Sequence, residues 1–332
     1  MKNLVKRILF SLLVAVKSHR FFHFINRKKI LILMYHGVFE ETMPIPCWWQ
    51  LTFDEFRWQL EYVKKYHSVM HLQDVLERIQ RQESLPDNVA IITFDDGYQN
   101  NYSVAYPLLK QLNLPATIFL TADFIGTDRL LWPDELFMLV LETEVPHIDL
   151  RNLGFDILEL TSIHKKWETY WKLNGHLKTL EPYKKKEMIA YIRDILSVER
   201  KNTSWADNFK LLSWEQIKLM NESRLIHWGA HSCTHEILSN LDDKTLSDEI
   251  KNSCAMISKY ASKILFAYPN GRKQDFDDRA KALLKQLNVL CSVTTVSGLN
   301  PCSQDPYELK RIKIGHNMSR DRFKLLCSGV VT

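Results

Sequence analysis

Two aspartates stand side by side in Thr93-Phe94-Asp95-Asp96-Gly97, at the end of an apolar run and before a glycine that permits a sharp exit. Carboxylates this close oppose each other's ionisation unless a cation or a proton divides their duties, so one suits a metal and the other proton transfer. Taken alone, the same string also reads as a helix N-cap with a spare charge. His231-Ser232-Cys233-Thr234-His235 follows a second apolar run. Two imidazoles four residues apart converge on one metal if the chain turns after its strand, and a carboxylate from elsewhere completes a three-ligand open site. Nitrogen and oxygen ligands of this kind suit Zn2+, with Co2+, Ni2+, Mn2+ or Fe2+ compatible. Cys233 sits between the two histidines and is expected to face the other way. Phe266-Ala267-Tyr268-Pro269-Asn270-Gly271 ends a third run in a turn able to direct a backbone N–H into a pocket. Leu33-Met34-Tyr35-His36-Gly37 is a strand ending in histidine, which on its own is more often structural.

These segments need a frame that brings strand ends together. After residue 30 the chain alternates short apolar or β-branched runs with longer amphipathic stretches. The pattern predicts strands over 30–35, 90–94, 116–121, 225–230, 264–268, 289–294 and 312–315. Helical spacing covers 52–65, 72–81, 213–222, 245–261, 275–287 and 320–326, several opening on Ser, Thr or Asp. Such alternation builds an α/β sheet or barrel with helical crossovers, whose carboxyl rim is where sites form. Residues 135–210 break the rhythm with helix-like, Lys- and Trp-rich sequence and no strand except 155–160, and are read as an insertion. Its Trp167, Tyr170 and Trp171 mark the buried stripe of a helix, with stacking on sugar rings as the alternative.

With 332 residues, 45% apolar and 25% charged, the composition is that of a folded chain, and one domain is expected. The formal charge of +5 is gathered in clusters such as 27–29 and 184–186 and does not imply nucleic acid. The second cluster reads as a solvated helix face, with anionic lipid or a charged glycan as alternatives. Six cysteines without regular spacing predict reduced thiols and favour cytosol, a secreted alternative staying open. Residues 1–29 form a basic, apolar segment whose apolar run, 8–16, is too short to span a bilayer. A packing helix, a helix on the inner membrane surface, and an exported leader with a poor cleavage site all fit it.

Together the motifs resemble the polysaccharide deacetylase superfamily, the NodB-homology domain of carbohydrate esterase family 4, over roughly residues 30–316. TFDDG is similar to the family's first motif, His231 to His235 to its HSxxH motif, and FAYPNG to its third. The resemblance implies a distorted (β/α)7 barrel with a helical insertion, Asp95 as catalytic base, and Asp96, His231 and His235 as ligands of a divalent metal. Ala267 stands where the third motif usually has an arginine that orients the aspartate, and Arg311 is a candidate for the missing charge. FAYPNG and LMYH resemble the branch of poly-N-acetylglucosamine deacetylases, in which an N-terminal histidine replaces the C-terminal one. On that ground His36 is preferred as the acid over His316.

The resemblance implies a bacterial hydrolase that removes the N-acetyl group from an amino sugar of a surface polysaccharide, oligosaccharide or glycolipid. Asp95 would accept a proton from the attacking water, the Asn270 N–H would hold the oxyanion, and His36 would protonate the amine. Tyr98, Trp132 and Tyr268 are candidate sugar platforms. The alternatives are a deformylase or deacylase of a lipid-linked sugar and, in a different class, a catalytically silent glycan-binding protein. The expected partners are thus an N-acetylated glycan or lipid-linked sugar, with peripheral membrane contact through the N-terminus. A cytoplasmic or inner-membrane-associated location is expected.

Overall fold

Unbroken apolar runs leave a strand no solvent face, and here such strands form one parallel sheet covered on both sides. A computed structural model of the chain describes residues 2–40, 47, 49–196 and 206–331. The sheet strands are β1 (Leu31–Tyr35), β2 (Ser68–Val69), β3 (Val89–Phe94), β4 (Ala116–Leu120), β5 (Ile226–Ala230), β6 (Leu265–Ala267), β7 (Cys291–Val293) and β8 (Ile312–Lys313). Their order is β7-β6-β5-β4-β3-β1-β8, with β2 beside the start of β3. β1 and β3 run in register from Leu31 opposite Ala90 to Tyr35 opposite Phe94. The sheet curls until its ends approach: Val293 bridges Leu309, which leads into β8, and β8 pairs with β1. This is the expected distorted barrel, with the short strand β2 added to the seven foreseen.

Strand parity sorts side chains between two cores. Leu31, Leu33, Tyr35, Ala90, Ile92, Phe94, Ile118 and Trp228 pack with the surrounding helices. Ile30, Ile32, Val89, Ile91, Phe119, Leu265, Val293 and Leu309 form the other cluster, joined by Leu72, Val75 and Leu76. Gly229 belongs to the crowded side of β5: a Cβ there would lie 2.3 Å from the Phe119 ring, so only glycine fits.

The helices flanking the sheet are α3 (Phe53–Tyr66), α4 (Leu72–Gln80), α5 (Tyr106–Leu112), α9 (Trp214–Glu222), α10 (Asp243–Ile257), α11 (Asp278–Gln286) and α12 (Arg320–Ser328). Thr52 and Ser213 close capping boxes with Glu55 and Gln216, and Asp242, Asp277 and Ser319 cap α10, α11 and α12. α5 was hidden from periodicity because Pro107 sits in its first turn.

Between β4 and β5 the chain builds α6 (Trp132–Glu142), an antiparallel hairpin of His147–Asp149 with Ile157–Glu159, α7 (Ile163–Leu177) and α8 (Pro182–Leu196). The expected strand at 155–160 therefore has a partner that the sequence reading missed. Tyr170 is buried against Phe137, and Trp167 packs on the same ring, so these two form the packing stripe, while Trp171 is exposed and does not belong to it. Lys185 corrects the reading of 184–186 as a solvated face. It is buried between exposed Lys184 and Lys186, on the stripe of Met188, Ile189 and Ile192, and it pairs with Glu236.

Residues 2–25 form two helices, α1 (Lys2–Ala15) and α2 (Ser18–Ile25), set against α12. Ser11 donates a hydrogen bond to Asp321, and Asn26 donates to the Ser328 carbonyl. All six cysteines are free thiols, and only Cys302 is exposed.

Candidate active site

The carboxyl ends of β1, β3, β5 and β6 bring the sequence motifs to one rim. The Asp95 N–H donates to the Tyr35 carbonyl at 3.0 Å, so the Asp-Asp pair and His36 leave the sheet side by side. Asp95 continues the Thr93 side of β3, and both side chains meet Arg311. The chain then turns sharply: Asp96 has φ +74° and Gly97 φ +84°. A Cβ on Gly97 would come within 2.6 Å of Leu120, which is the reason for glycine at that step.

The turn points Asp96 at the histidines. Its Oδ1 lies 3.4 Å from His231 Nε2 and 3.3 Å from His235 Nε2. All three ligand atoms fall within 4.8 Å of one another, and all three residues are buried. His231 Nδ1 sits 2.7 Å from the Ala267 carbonyl at the end of β6, which fixes that nitrogen as the donor and leaves Nε2 as a lone pair. Asp96 Oδ1 is buried without a hydrogen-bond donor. An orphaned carboxylate oxygen facing two imidazole nitrogens is the donor set of a divalent cation site, and the residues fit one.

Burial works against both carboxylates, yet each is held below its ordinary range. For Asp95 the opposing force comes first from Arg311 and then from His231; for Asp96 it comes from His231, His235 and His36. Burial lowers His235 to about 3 despite Asp96, whereas for His231 the two neighbouring aspartates overcome burial and raise it. His36 is lowered by burial, against the pull of Asp96 and Asp95. Asn101 secures its position by donating to the His36 carbonyl at 2.7 Å.

Arg311 reaches Asp95 from β8's side of the barrel. Nη1 donates to Oδ1 at 2.6 Å and Nη2 to Oδ2 at 2.7 Å, while Nε donates to the Thr294 carbonyl. Both partners are sealed from solvent. His316 lies just past β8, half-exposed, and among the described residues no hydrogen bond or ion pair links it to Asp95 or Asp96. Asn270 has φ +57°, its carbonyl accepts from Thr295, and among the described residues no acceptor engages its N–H.

The three aromatics expected to offer sugar platforms are buried, which corrects that expectation. Tyr268 stacks on Phe276 at 3.9 Å and donates its hydroxyl to the Tyr307 carbonyl. Tyr98 donates to Asp134 at 2.8 Å within the core. The Trp132 ring carries Lys185 Nζ over its face at 4.7 Å.

Two supporting residues escaped the sequence reading. Glu249 of α10 accepts from the backbone N–H groups of Cys233 and Thr234 and from the Thr234 hydroxyl, tying down the turn between the histidines. Cys233, between the histidines, is buried and is not part of the Asp96, His231 and His235 cluster. A visible signal existed: Glu249 lies on the same stripe of α10 as Leu246, Ile250 and Ser253, where a solvated carboxylate is out of place. The second is Glu236, next to His235, whose buried partner Lys185 comes from α8.

The family model for polysaccharide deacetylase matches residues 82–291, which span β3 to β7 and carry Asp95, Asp96, His231, His235 and Asn270. The chain belongs to the polysaccharide deacetylase family. Bacillus subtilis YxkH, named for the same family, is 27% identical over 137 residues, 41% of this chain and 46% of that protein. The poly-beta-1,6-N-acetyl-D-glucosamine N-deacetylase of Staphylococcus epidermidis is 22% identical over 162 residues, 48% of either chain. The chain thus spans about half the length of the curated relatives it matches. Among solved structures, Streptococcus pyogenes deacetylase PplD in complex with acetate aligns at TM-score 0.58 and 20% identity, covering 89% of this chain and 96% of that one. IcaB from Ammonifex degensii aligns at TM-score 0.57 and 16% identity, covering 91% and 96%. These likenesses establish the deacetylase fold.

Proposed function

We propose that this polysaccharide deacetylase is a divalent-metal-dependent enzyme that hydrolyses the N-acetyl group of an amino sugar within a glycan. The observation that carries the reading is the pairing of two differently employed aspartates. Asp96 faces two imidazole nitrogens, and Asp95, its neighbour, is locked to Arg311 beside them.

Asp96, His231 and His235 would hold the cation, Zn2+ being the best match to this mixed nitrogen and oxygen set. When bound, the cation supplies Lewis acidity to the acyl carbonyl and to water. The protein's own groups handle the protons. Arg311 keeps Asp95 ionised and aimed, so Asp95 receives the proton of the attacking water. The Asn270 N–H, unengaged just past β6, would donate to the developing oxyanion. His36, held at the end of β1 by the Asn101 hydrogen bond to its carbonyl, delivers a proton to the departing amine. Acetate and a free amino sugar result.

The test is acetate release from N-acetylglucosamine oligosaccharides by zinc-reconstituted protein, run beside Asp95→Asn and Asp96→Asn. Release that requires zinc and is lost in both variants supports the reading. Intact binding of zinc and glycan with no release of acetate would sink it.

A further inference from the structure

We propose that α1 and α2 form a docking surface for an anionic lipid bilayer, held against the barrel by α12. Ile8, Leu9 and Leu12 lie along one stripe of α1, continued by Val16 in the turn after it, and Phe21, Phe24 and Ile25 lie along one stripe of α2. Each is more than half exposed. The same short segment supplies seven of the fifteen large apolar side chains exposed among the described residues, so this is a concentrated patch and not the usual scatter.

The segment's own charge is of one sign, with Arg27 and Lys28 paired to Asp87 at its end. Residues 1–39 hold eight lysines and arginines and neither aspartate nor glutamate. Lys17 sits at the bend between the helices and Arg20 within α2. Arg27 lies over the Phe24 ring at 4.3 Å, and Lys28 and Lys29 follow. Apolar stripes flanked by cations match a membrane surface bearing phosphates: the side chains enter the acyl boundary and the cations remain with the headgroups.

Neither helix is long and apolar enough to cross a bilayer, and the two are bent by 73° at the break. They are also committed to the protein on another face. Ser11 donates to Asp321 at 2.9 Å, Asn26 donates to the Ser328 carbonyl, and His23 lies 3.3 Å from the Tyr62 hydroxyl. A surface-lying segment satisfies these anchors and the exposed stripes together. α12 follows β8 after a short connection, so the Ser11 bond to its first turn sets α1 near the rim that carries Asp95.

The experiment is co-sedimentation of the full chain with vesicles of roughly equal parts phosphatidylglycerol and phosphatidylcholine, beside vesicles of phosphatidylcholine alone. The variants are Phe21→Glu with Phe24→Glu, and Lys17→Gln with Arg20→Gln, each checked by thermal unfolding for a retained fold. Binding to the anionic vesicles that weakens with salt, drops about tenfold or more in the charge variant and disappears in the phenylalanine variant is expected. Failure to sediment with either vesicle overturns the proposal. So does a dimer, seen by light scattering, that the phenylalanine variant dissolves, since the occupant would then be a second copy. Resistance of the vesicle-bound protein to alkaline extraction would also overturn it, in favour of a broken span. None of these outcomes depends on acetate release, so the deacetylase reading stands or falls separately.

Discussion

Arg311 grips Asp95 through two parallel hydrogen bonds, with both groups removed from water. Ala267, at the position where the family's third motif usually carries an arginine, instead lends its carbonyl to His231. The orienting charge has therefore moved from the end of β6 to the end of the chain segment entering β8, and it reaches the same carboxylate across the barrel.

Arg311→Gln should lower kcat/KM by about a hundredfold, because a planar, bidentate clamp is lost and Asp95 no longer points at one place. The sign of the pH effect follows from the pairing: the guanidinium depresses the Asp95 pKa, so its removal moves the acid limb of the kcat/KM profile to higher pH. Stability should fall by about 3 to 5 kcal/mol, the cost of leaving one member of a buried pair behind. An acid limb that does not move would show that Asp95 is not the titrating base.

The metal site predicts a linkage between cation and stability. Zinc at a hundredfold excess over its Kd should raise the unfolding free energy by about 2.7 kcal/mol. In Asp96→Asn and His235→Ala that increment should vanish, while the unfolding of the metal-free proteins stays close to the parent's. Denaturation followed with zinc and with a chelator measures both quantities, and an equal response of parent and variants to zinc would place the cation elsewhere.

Glu249→Gln should weaken zinc binding by about tenfold to a hundredfold without touching the ion. The carboxylate accepts from two backbone N–H groups and a hydroxyl in the turn that separates the histidines, and a neutral amide accepts less strongly. Competition with a chromogenic chelator reads the change, and unaltered affinity would mean that the turn holds its shape without the charge.

Much of this site was legible because its residues sit where strands end, and buried parallel strands announce themselves as apolar runs. The six-residue run of β3 and the five-residue runs of β1 and β4 are of that kind. Ser68–Val69 was invisible since two residues carry no period, and α5 since proline opens it. Lys185 escaped because its neighbours Lys184 and Lys186 made a charge run. Its place on the buried stripe of α8 outweighs composition once Glu236 is there to pair with it. Tyr98, Trp132 and Tyr268 failed as platforms for the opposite reason: aromatics next to a catalytic turn are also what packs the turn in place.

Acidification should cost stability through His71. Its ring stacks on His227 at 3.6 Å, and burial, with the neighbouring histidine, lowers it to about 4. A histidine depressed in the folded state stabilises fully above its unfolded pKa near 6.5, and that contribution is lost as pH falls through the window from about 6.5 to 4. The loss should be on the order of 2 kcal/mol, discounted for the ring's partial exposure. Urea unfolding at pH 7 and pH 4.5 measures it, and His71→Phe should flatten the dependence. An equal acid loss in that variant would assign the effect to other groups.

His36 and His316 make different predictions because His36 directly follows Tyr35, whose carbonyl accepts from the Asp95 N–H, whereas His316 lies past β8. His36→Gln should reduce acetate release from an N-acetyl sugar by about 10² to 10⁴-fold, the range for a positioned acid, while His316→Gln leaves it near the parent's rate. An amine must be protonated to depart, but an activated aryloxide need not be. The same His36→Gln protein should therefore hydrolyse an activated aryl acetate at a rate within a few-fold of the parent's. That contrast separates an acid from a structural histidine, since a distorted site would lose both reactions together. The anchoring of His36 by Asn101 makes distortion testable as well: Asn101→Ala removes the hydrogen bond to the His36 carbonyl and should slow amide hydrolysis more than ester hydrolysis. If ester and amide fall in parallel in both variants, His36 positions the cleft and the proton comes from elsewhere.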